Sequence, residues 1–286
     1  MNRERWVRLV MLVTLAVLAF TPALRAQNTS TAGGTGGAAY TLKCPEGQVL
    51  TGLGAHYGAW VDYITAYCRS VDVSTGSTGS TKTSTQSTGQ IHLGTTWHVR
   101  ECPAGFAVKS FEGKAGWYVN HIELTCHRLG ASGRTQAESR DLGYLGSFEG
   151  TSYSPRSCGS AQPAIGVYGK SGEYIDSFGL ICGYIMPAVP RLTAPSHGSD
   201  VVSKRPLFDW DSADRINRPY RICINLSADA KCSISGTLTA EISAPTTQWT
   251  PGTDLRFTRG DQVYWRIEAC NDNGCKSTIR KFRFMP

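Results

Sequence analysis

Apolar and polar positions alternate with period two in three short stretches, VDYITAYC (residues 61–68), NHIELTC (120–126) and IDSFGLIC (175–182), and each stretch ends in cysteine. Strict alternation marks strands with one face buried, and the Gly and Pro clusters between these runs mark turns. No long stretch carries a helical period. The pattern therefore predicts an all-β chain of short antiparallel strands. A glycine stands four residues before an Asp or Asn at the head of each stretch: Gly58 and Asp62, Gly116 and Asn120, Gly172 and Asp176.

The three stretches belong to an internal repeat. Its first cysteines, Cys44, Cys102 and Cys158, are 58 and 56 residues apart, and each lies 24 residues before a second one, Cys68, Cys126 and Cys182. A glycine and an aromatic precede each first cysteine, at Gly37/Tyr40, Gly94/Trp97 and Gly150/Tyr153. The equal spacing predicts bridges between neighbours along the chain, with Cys223 paired to Cys232 and Cys270 to Cys275. Closing loops of the repeated size stabilises by roughly 3 to 4 kcal/mol each.

Around the repeat the chain divides by composition. Residues 1–26 have a basic start, an apolar run and a small residue, Ala26, where a peptidase could cut, and read as a secretory signal. Residues 27–35 and the Ser/Thr/Gly-rich segment 74–90 bury nothing apolar and read as a flexible tail and a flexible loop. The repeats occupy 36–186. A proline-rich boundary follows, and 187–286 carries short strands with Trp210, Trp249 and Trp265 as core anchors, a β-sandwich pattern that loosely resembles a fibronectin type III or immunoglobulin-like module in FDW, YRICI and VYWRIEA.

Charge narrows the partners. The formal charge of +7 falls to +4 without the four arginines and one glutamate of 1–26, and charges of both signs are scattered. The basic footprint of a nucleic-acid binder is absent. No segment after residue 26 is apolar enough to span a membrane, and ten cysteines fit a secreted or periplasmic location. No paired CxxC occurs and His127 lacks partners at ligand spacing, so neither metal nor cofactor is expected.

The glycine–Asp turns carry the candidate chemistry. A carboxylate accepts from two neighbouring hydroxyls, a glycine turn lets backbone N–H groups approach the same oxygens, and an adjacent aromatic covers an apolar ring face. These parts suit a neutral sugar. Gly172, Glu173, Tyr174 and Asp176 supply them in the third copy, and Gly58, Trp60 and Asp62 in the first; the second has Gly116, Trp117 and Tyr118 but the neutral Asn120. Ordinary turn chemistry is the competing reading, since Asp and Asn bond their own backbone. His121 and His127 share a strand face without a nucleophile motif beside them, and Glu112, Glu123, Glu149 and Glu173 are scattered.

Together with GGTGGAAY at residues 33–40, the GKSGEYIDSFGLIC stretch resembles the jacalin-related lectins, whose pattern opens with a GGxGG loop and carries GxxxD before an alternating strand. The likeness covers about 33–185. It implies a β-prism of three four-stranded sheets, with the first and last strands in one sheet, so that Gly36 and Gly37 stand beside Gly172, Glu173, Tyr174 and Asp176. By the same permutation the first turn faces Gly94 and the second faces Gly150, and affinity is expected to fall in the order Asp176, Asp62, Asn120. The paired cysteines are more like the vitelline membrane outer layer protein, another three-repeat prism. The expected function is carbohydrate binding without catalysis; an extracellular barrier protein of that second type and a glycan-processing enzyme are the alternatives.

Overall fold

The computed structural model describes residues 28–93, 95–213, 215–216, 218–230, 232 and 237–286. The signal read at 1–26 and Gly94 lie outside the described residues. Twelve strands build the first domain: β1 (Ala32–Gly33), β2 (Ala38–Lys43), β3 (Gln48–Tyr57), β4 (Val61–Ser70), β5 (Thr83–Gly89), β6 (Thr96–Glu101), β7 (Phe106–Ala115), β8 (Val119–Leu129), β9 (Thr135–Gly146), β10 (Thr151–Ser157), β11 (Ala164–Ser171) and β12 (Ile175–Cys182). They form three four-stranded sheets, ordered β1-β12-β11-β2, β5-β4-β3-β6 and β10-β7-β8-β9. This is a β-prism.

Each sheet has a hairpin at its centre (β3–β4, β7–β8 or β11–β12) flanked by strands from the linking segments. The inward half of each alternation, including Leu53, Ile64, Phe111, Ile122, Phe178 and Leu180, meets the others in one core. Glycine in a central strand makes room for the recurring aromatic. A Cβ at Gly169 would lie 2.9 Å from the Tyr40 hydroxyl, and one at Gly113 would lie 2.8 Å from that of Tyr153. Both phenols donate across the glycine, Tyr40 to the Ser177 carbonyl at 3.0 Å and Tyr153 to the His121 carbonyl at 3.1 Å. Burial pushes both hydroxyls well above the usual phenol range, so they remain donors. In the first copy Trp97 lies over Gly54 instead.

The central strands slip register at one equivalent place, between Leu50 and Gly52, Val108 and Ser110, and Ala164 and Gly166. A bulge leaves its extra residue unpaired in the hairpin. Here its carbonyl accepts the N–H of a repeat's first cysteine: Thr51 from Cys102 at 2.7 Å, Lys109 from Cys158 at 2.9 Å and Ile165 from Cys44 at 2.9 Å. Each first cysteine thus follows a flanking strand of one sheet while its partner lies in the next sheet's hairpin. The bridges Cys44–Cys68, Cys102–Cys126 and Cys158–Cys182 staple first sheet to second, second to third and third to first. Short in sequence, they close a ring in space. Cys223–Cys232 and Cys270–Cys275 are also bridged, as the spacing predicts.

Two expectations about flexible segments are corrected. In 27–35, Thr29 is buried, its N–H bonds the Leu180 carbonyl at 3.1 Å, its hydroxyl accepts from Leu180 N–H at 2.9 Å, and β1 pairs with β12. This segment covers an edge of β12 whose peptide groups would otherwise lack partners. Within 74–90, β5 pairs with β4 and the Thr65 and Ser87 hydroxyls bond at 2.5 Å. Its polar side chains need no core, because edge pairing satisfies the backbone.

The second domain is a β-sandwich of β13 (Leu192–Ala194), β14 (Asp200–Val201), β15 (Phe208–Trp210), β16 (Tyr220–Asn225), β17 (Leu238–Ile242), β18 (Gln248–Trp249), β19 (Gln262–Asn271) and β20 (Gly274–Phe284). Its sheets run β13-β15-β18 and β14-β20-β19-β16-β17, with Trp210 and Trp265 fully buried between them and Trp249 packed against that core. The β19–β20 turn plugs into the base of the prism. Asn273 donates to the Ser132 carbonyl at 2.6 Å and the Ile185 carbonyl at 3.1 Å, and Asn271 to Ile185 at 2.9 Å. The prism's hairpin turns lie at the other end of its strands.

Candidate carbohydrate site

One backbone arrangement is written three times at that free end. Each hairpin closes with the glycine N–H bonded to the carbonyl two residues on: Gly58 to Trp60 at 3.0 Å, Gly116 to Tyr118 at 2.9 Å and Gly172 to Tyr174 at 3.0 Å. The carbonyls of Asp62, Asn120 and Asp176 then accept from a crossing loop, from Gln90 at 3.1 Å, Ser147 at 2.8 Å and Gly34 at 2.8 Å. Just before each donor stands a glycine at positive φ, Gly89 (91°), Gly146 (120°) and Gly33 (106°). A Cβ there would fall within 2.0–2.2 Å of the same carbonyl, so no other residue fits.

The aromatic of each turn points to the pseudo-threefold axis rather than to its own acid. Trp60, Tyr118 and Tyr174 touch pairwise, with ring centroids 5.5 Å (Trp60–Tyr118), 4.9 Å (Trp60–Tyr174) and 4.9 Å (Tyr118–Tyr174) apart. Trp60 and Tyr174, expected to serve separate sites, form one cluster that caps the prism. Three turns repeated about one axis impose this on residues at the same position.

The three acids or amides differ in what they face. Asp176 is only 5% exposed and sits against the GGTGG loop: a Cβ on Gly36 would come 2.5 Å from its Oδ1, and one on Gly37 (φ 69°) 2.3 Å from its Oδ2. A Cβ on Gly172 would lie 3.8 Å from the same Oδ2 and 3.8 Å from the Gly37 Cα. The Oδ2 oxygen is shielded from solvent and has no hydrogen-bond partner among the described residues. The nearby Lys170 ammonium bonds the Thr35 carbonyl at 2.8 Å. Glu173 is exposed at the tip of the turn.

The first copy is closed. Asp62 is 2% exposed and His92, from the crossing loop, places Nδ1 3.6 Å from its Oδ2 while stacking on Tyr174 at 4.7 Å. Burial pushes the Asp62 carboxyl above the usual carboxylate range, and the His92 and His56 rings pull it partly back. The second copy is tied inward. Asn120 donates through Nδ2 to the Ala59 carbonyl at 3.0 Å, which also accepts from the Ser147 hydroxyl at 2.7 Å. Gly150 faces the Asn120 Oδ1, as the permutation implied.

A cavity of about 660 Å³ opens between the third and second stations. Thr35, Gly36 and Asp176 line it from the third, and Asn120, Glu149 and Gly150 from the second. Trp60, Trp117 and Tyr118 lie between. The placements of His92, Glu149, Thr35 and Trp117 escaped the sequence pattern, because crossing loops and a turn of another copy bring them to the acid or amide they face. Among the described residues no group of three His, Cys, Asp or Glu side chains is placed to hold a metal ion, and no helix is long and apolar enough to cross a membrane.

Solved structures similar in shape include wild-type Malaysian banana lectin (20% identity, 56% of this chain and 99% of the lectin, TM-score 0.40). Calystegia sepium agglutinin aligns at 15% identity over 56% of this chain and 97% of its own, with a TM-score of 0.42. Artocarpin, solved with methyl α-mannose, aligns at 16% identity over 55% and 99%, with a TM-score of 0.39. No protein-family model and no curated protein matches the chain. At these scores the function is read from the site's own geometry.

Proposed function

We propose that the protein is an extracytoplasmic lectin that binds neutral hexose-containing glycans at Asp176. One observation carries this reading: a carboxylate 95% buried, with a shielded oxygen that meets no donor among the described residues, is walled by glycines and lines an open cavity. Burying a charged group without partners costs several kcal/mol. Sugar hydroxyls supply the missing donors, and charge-assisted hydrogen bonds contribute roughly 1.5 to 3 kcal/mol each, enough to orient a weak ligand. Gly36, Gly37 and Gly172 set no side chain against the carboxylate, and Trp60 and Tyr118 line the same cavity with apolar surface. Five disulfides support an oxidising compartment.

A barrier or scaffold role is favoured in the other two copies, where His92 closes on Asp62 and Asn120 is bonded to Ala59. Calorimetry with methyl α-mannoside, methyl α-glucoside and methyl β-galactoside separates the readings. Wild type is expected to bind at least one, with or without a calcium chelator, since calcium needs 6 to 8 oxygen ligands. Asp176→Asn is expected to abolish binding with an unchanged melting temperature. Normal binding by that variant, or none by wild type across a glycan array, leaves only the scaffold.

A further inference from the structure

At the other end of the prism a second cavity, of about 640 Å³, opens where the prism meets the sandwich. Its apolar lining is Ile165 of the prism with Tyr184, Ile185 and Met186 of the segment that links the domains. Ile165 packs across Gly183, where a Cβ would lie 2.5 Å from its Cδ1. Lys43 on β2 and Lys276 on β20 line the cavity too, one from each domain, and neither ammonium has a partner among the described residues. Two guanidinium groups add to the positive charge. Arg134 lies 5.2 Å over the Tyr184 ring, and Arg215 lies against Gly47, where a Cβ would run into its guanidinium. Glu46 is the only acid among the described lining residues, and Asp272, next to Asn273 in the chain, is already bonded by Arg218 at 3.0 Å.

The amide groups of this lining are spent within the protein. Asn273 donates to the Ser132 and Ile185 carbonyls and accepts from Arg134 Nε at 3.0 Å, the Gly183 N–H bonds the Pro163 carbonyl at 3.1 Å, and the Gln48 amide donates to the Thr83 hydroxyl at 3.3 Å. What remains for a ligand is apolar carbon beside cations that lack an acid. A peptide placed there would bury amides without partners, which is costly, whereas an alkyl chain has none to satisfy. We propose that this junction binds a small alkyl carboxylate, with its chain against Ile165, Tyr184 and Met186 and its carboxylate toward Lys43 and Lys276. A mostly apolar cavity of this size with a few charged groups is the usual form of a small-molecule site. Because both domains line it, the ligand also ties the sandwich to the prism. The proposal does not depend on the carbohydrate reading, whose site lies at the opposite end.

Titration calorimetry with hexanoate, octanoate, octanol, octyltrimethylammonium and the peptide acetyl-Leu-Leu tests this on wild type, on the double variants Lys43→Ala/Lys276→Ala and Lys43→Arg/Lys276→Arg, and on Met186→Gln. Wild type is expected to bind octanoate more tightly than hexanoate, since each added methylene buries more apolar area. It should bind octanoate roughly five- to tenfold more tightly than octanol, and more tightly still than the cation or the peptide. The double alanine variant should lose that margin for octanoate, keep its affinity for octanol and keep the melting temperature of the free protein, because neither ammonium is partnered. The double arginine variant should retain octanoate binding, and Met186→Gln should weaken octanoate and octanol alike. Octanoate should raise the wild-type melting temperature. No octanoate binding by wild type, equal affinity for the three octyl compounds, or undiminished octanoate affinity in the double alanine variant overturns the proposal. Tighter binding of the peptide than of octanoate overturns it as well, by replacing the alkyl class.

Discussion

Asp176, Asp62 and Asn120 occupy one backbone position and differ by what their neighbours give them. Asp176 faces Gly36, Gly37 and Gly172, and in the proposed lectin that absence of side chains is what leaves room for a sugar. Gly37→Ala tests it. At φ 69° an added Cβ is strained, and it would lie 2.3 Å from the carboxylate and 2.5 Å from the Ser171 backbone. The variant should lose about 1 to 3 kcal/mol of stability and lose sugar binding, read by thermal melts and calorimetry. Asp62 makes the opposite prediction. A carboxyl held above its ordinary value of 3.8 takes up protons on folding, so its unfavourable contribution grows as pH rises from about 3.8 to the raised folded value and is constant above it. Asp62→Asn should thus be more stable than wild type at neutral pH, with the gain vanishing below about pH 3.8. A less stable variant at neutral pH would show that the His92 pairing outweighs desolvation.

At the scale of elements, polar segments do structural work that their composition hides. Alternation identified β4, β8 and β12 because one face of each enters the core. Residues 28–33 and β5 have little apolar content to bury, and hydrogen bonding to an open sheet edge orders them instead. A chain starting at Gly34 lacks the two hydrogen bonds between Thr29 and Leu180 and the buried Ala32. Relative to a chain starting at Gln27, it should lose about 2 to 4 kcal/mol in urea unfolding, at roughly 1 kcal/mol per hydrogen bond plus the burial. It should also self-associate in light scattering through the bared edge of β12. An unchanged urea midpoint would mean that 28–33 adds nothing to the sheet.

For the whole molecule, the ring of inter-sheet disulfides makes the three seams equivalent. Removing any one pair, for instance Cys102→Ser with Cys126→Ser, should cost a similar 3 to 4 kcal/mol, roughly the closure entropy of a loop of this size. Urea titrations of the three double variants check this, and one costing far more than the others would show that the seams are not equivalent. The sandwich, docked through Asn271 and Asn273 at the base, leaves the end with the hairpin turns free.

The sequence by itself determined the all-β class, the threefold repeat, the five bridges and the glycine–acid turns, because each rests on spacing along the chain. The resemblance added the permutation that sets Gly36 and Gly37 beside Asp176. Only the tertiary structure decided that the turn aromatics meet on one axis, that His92 closes the first station, that each repeat's bridge staples two sheets, and that Trp117 of the second copy stands at the acid of the third. The reason is physical. Alternation reports which face of a strand is buried, but a flanking strand finds its sheet through backbone groups that are the same in every residue, so neighbours from different copies leave no mark in the sequence of either.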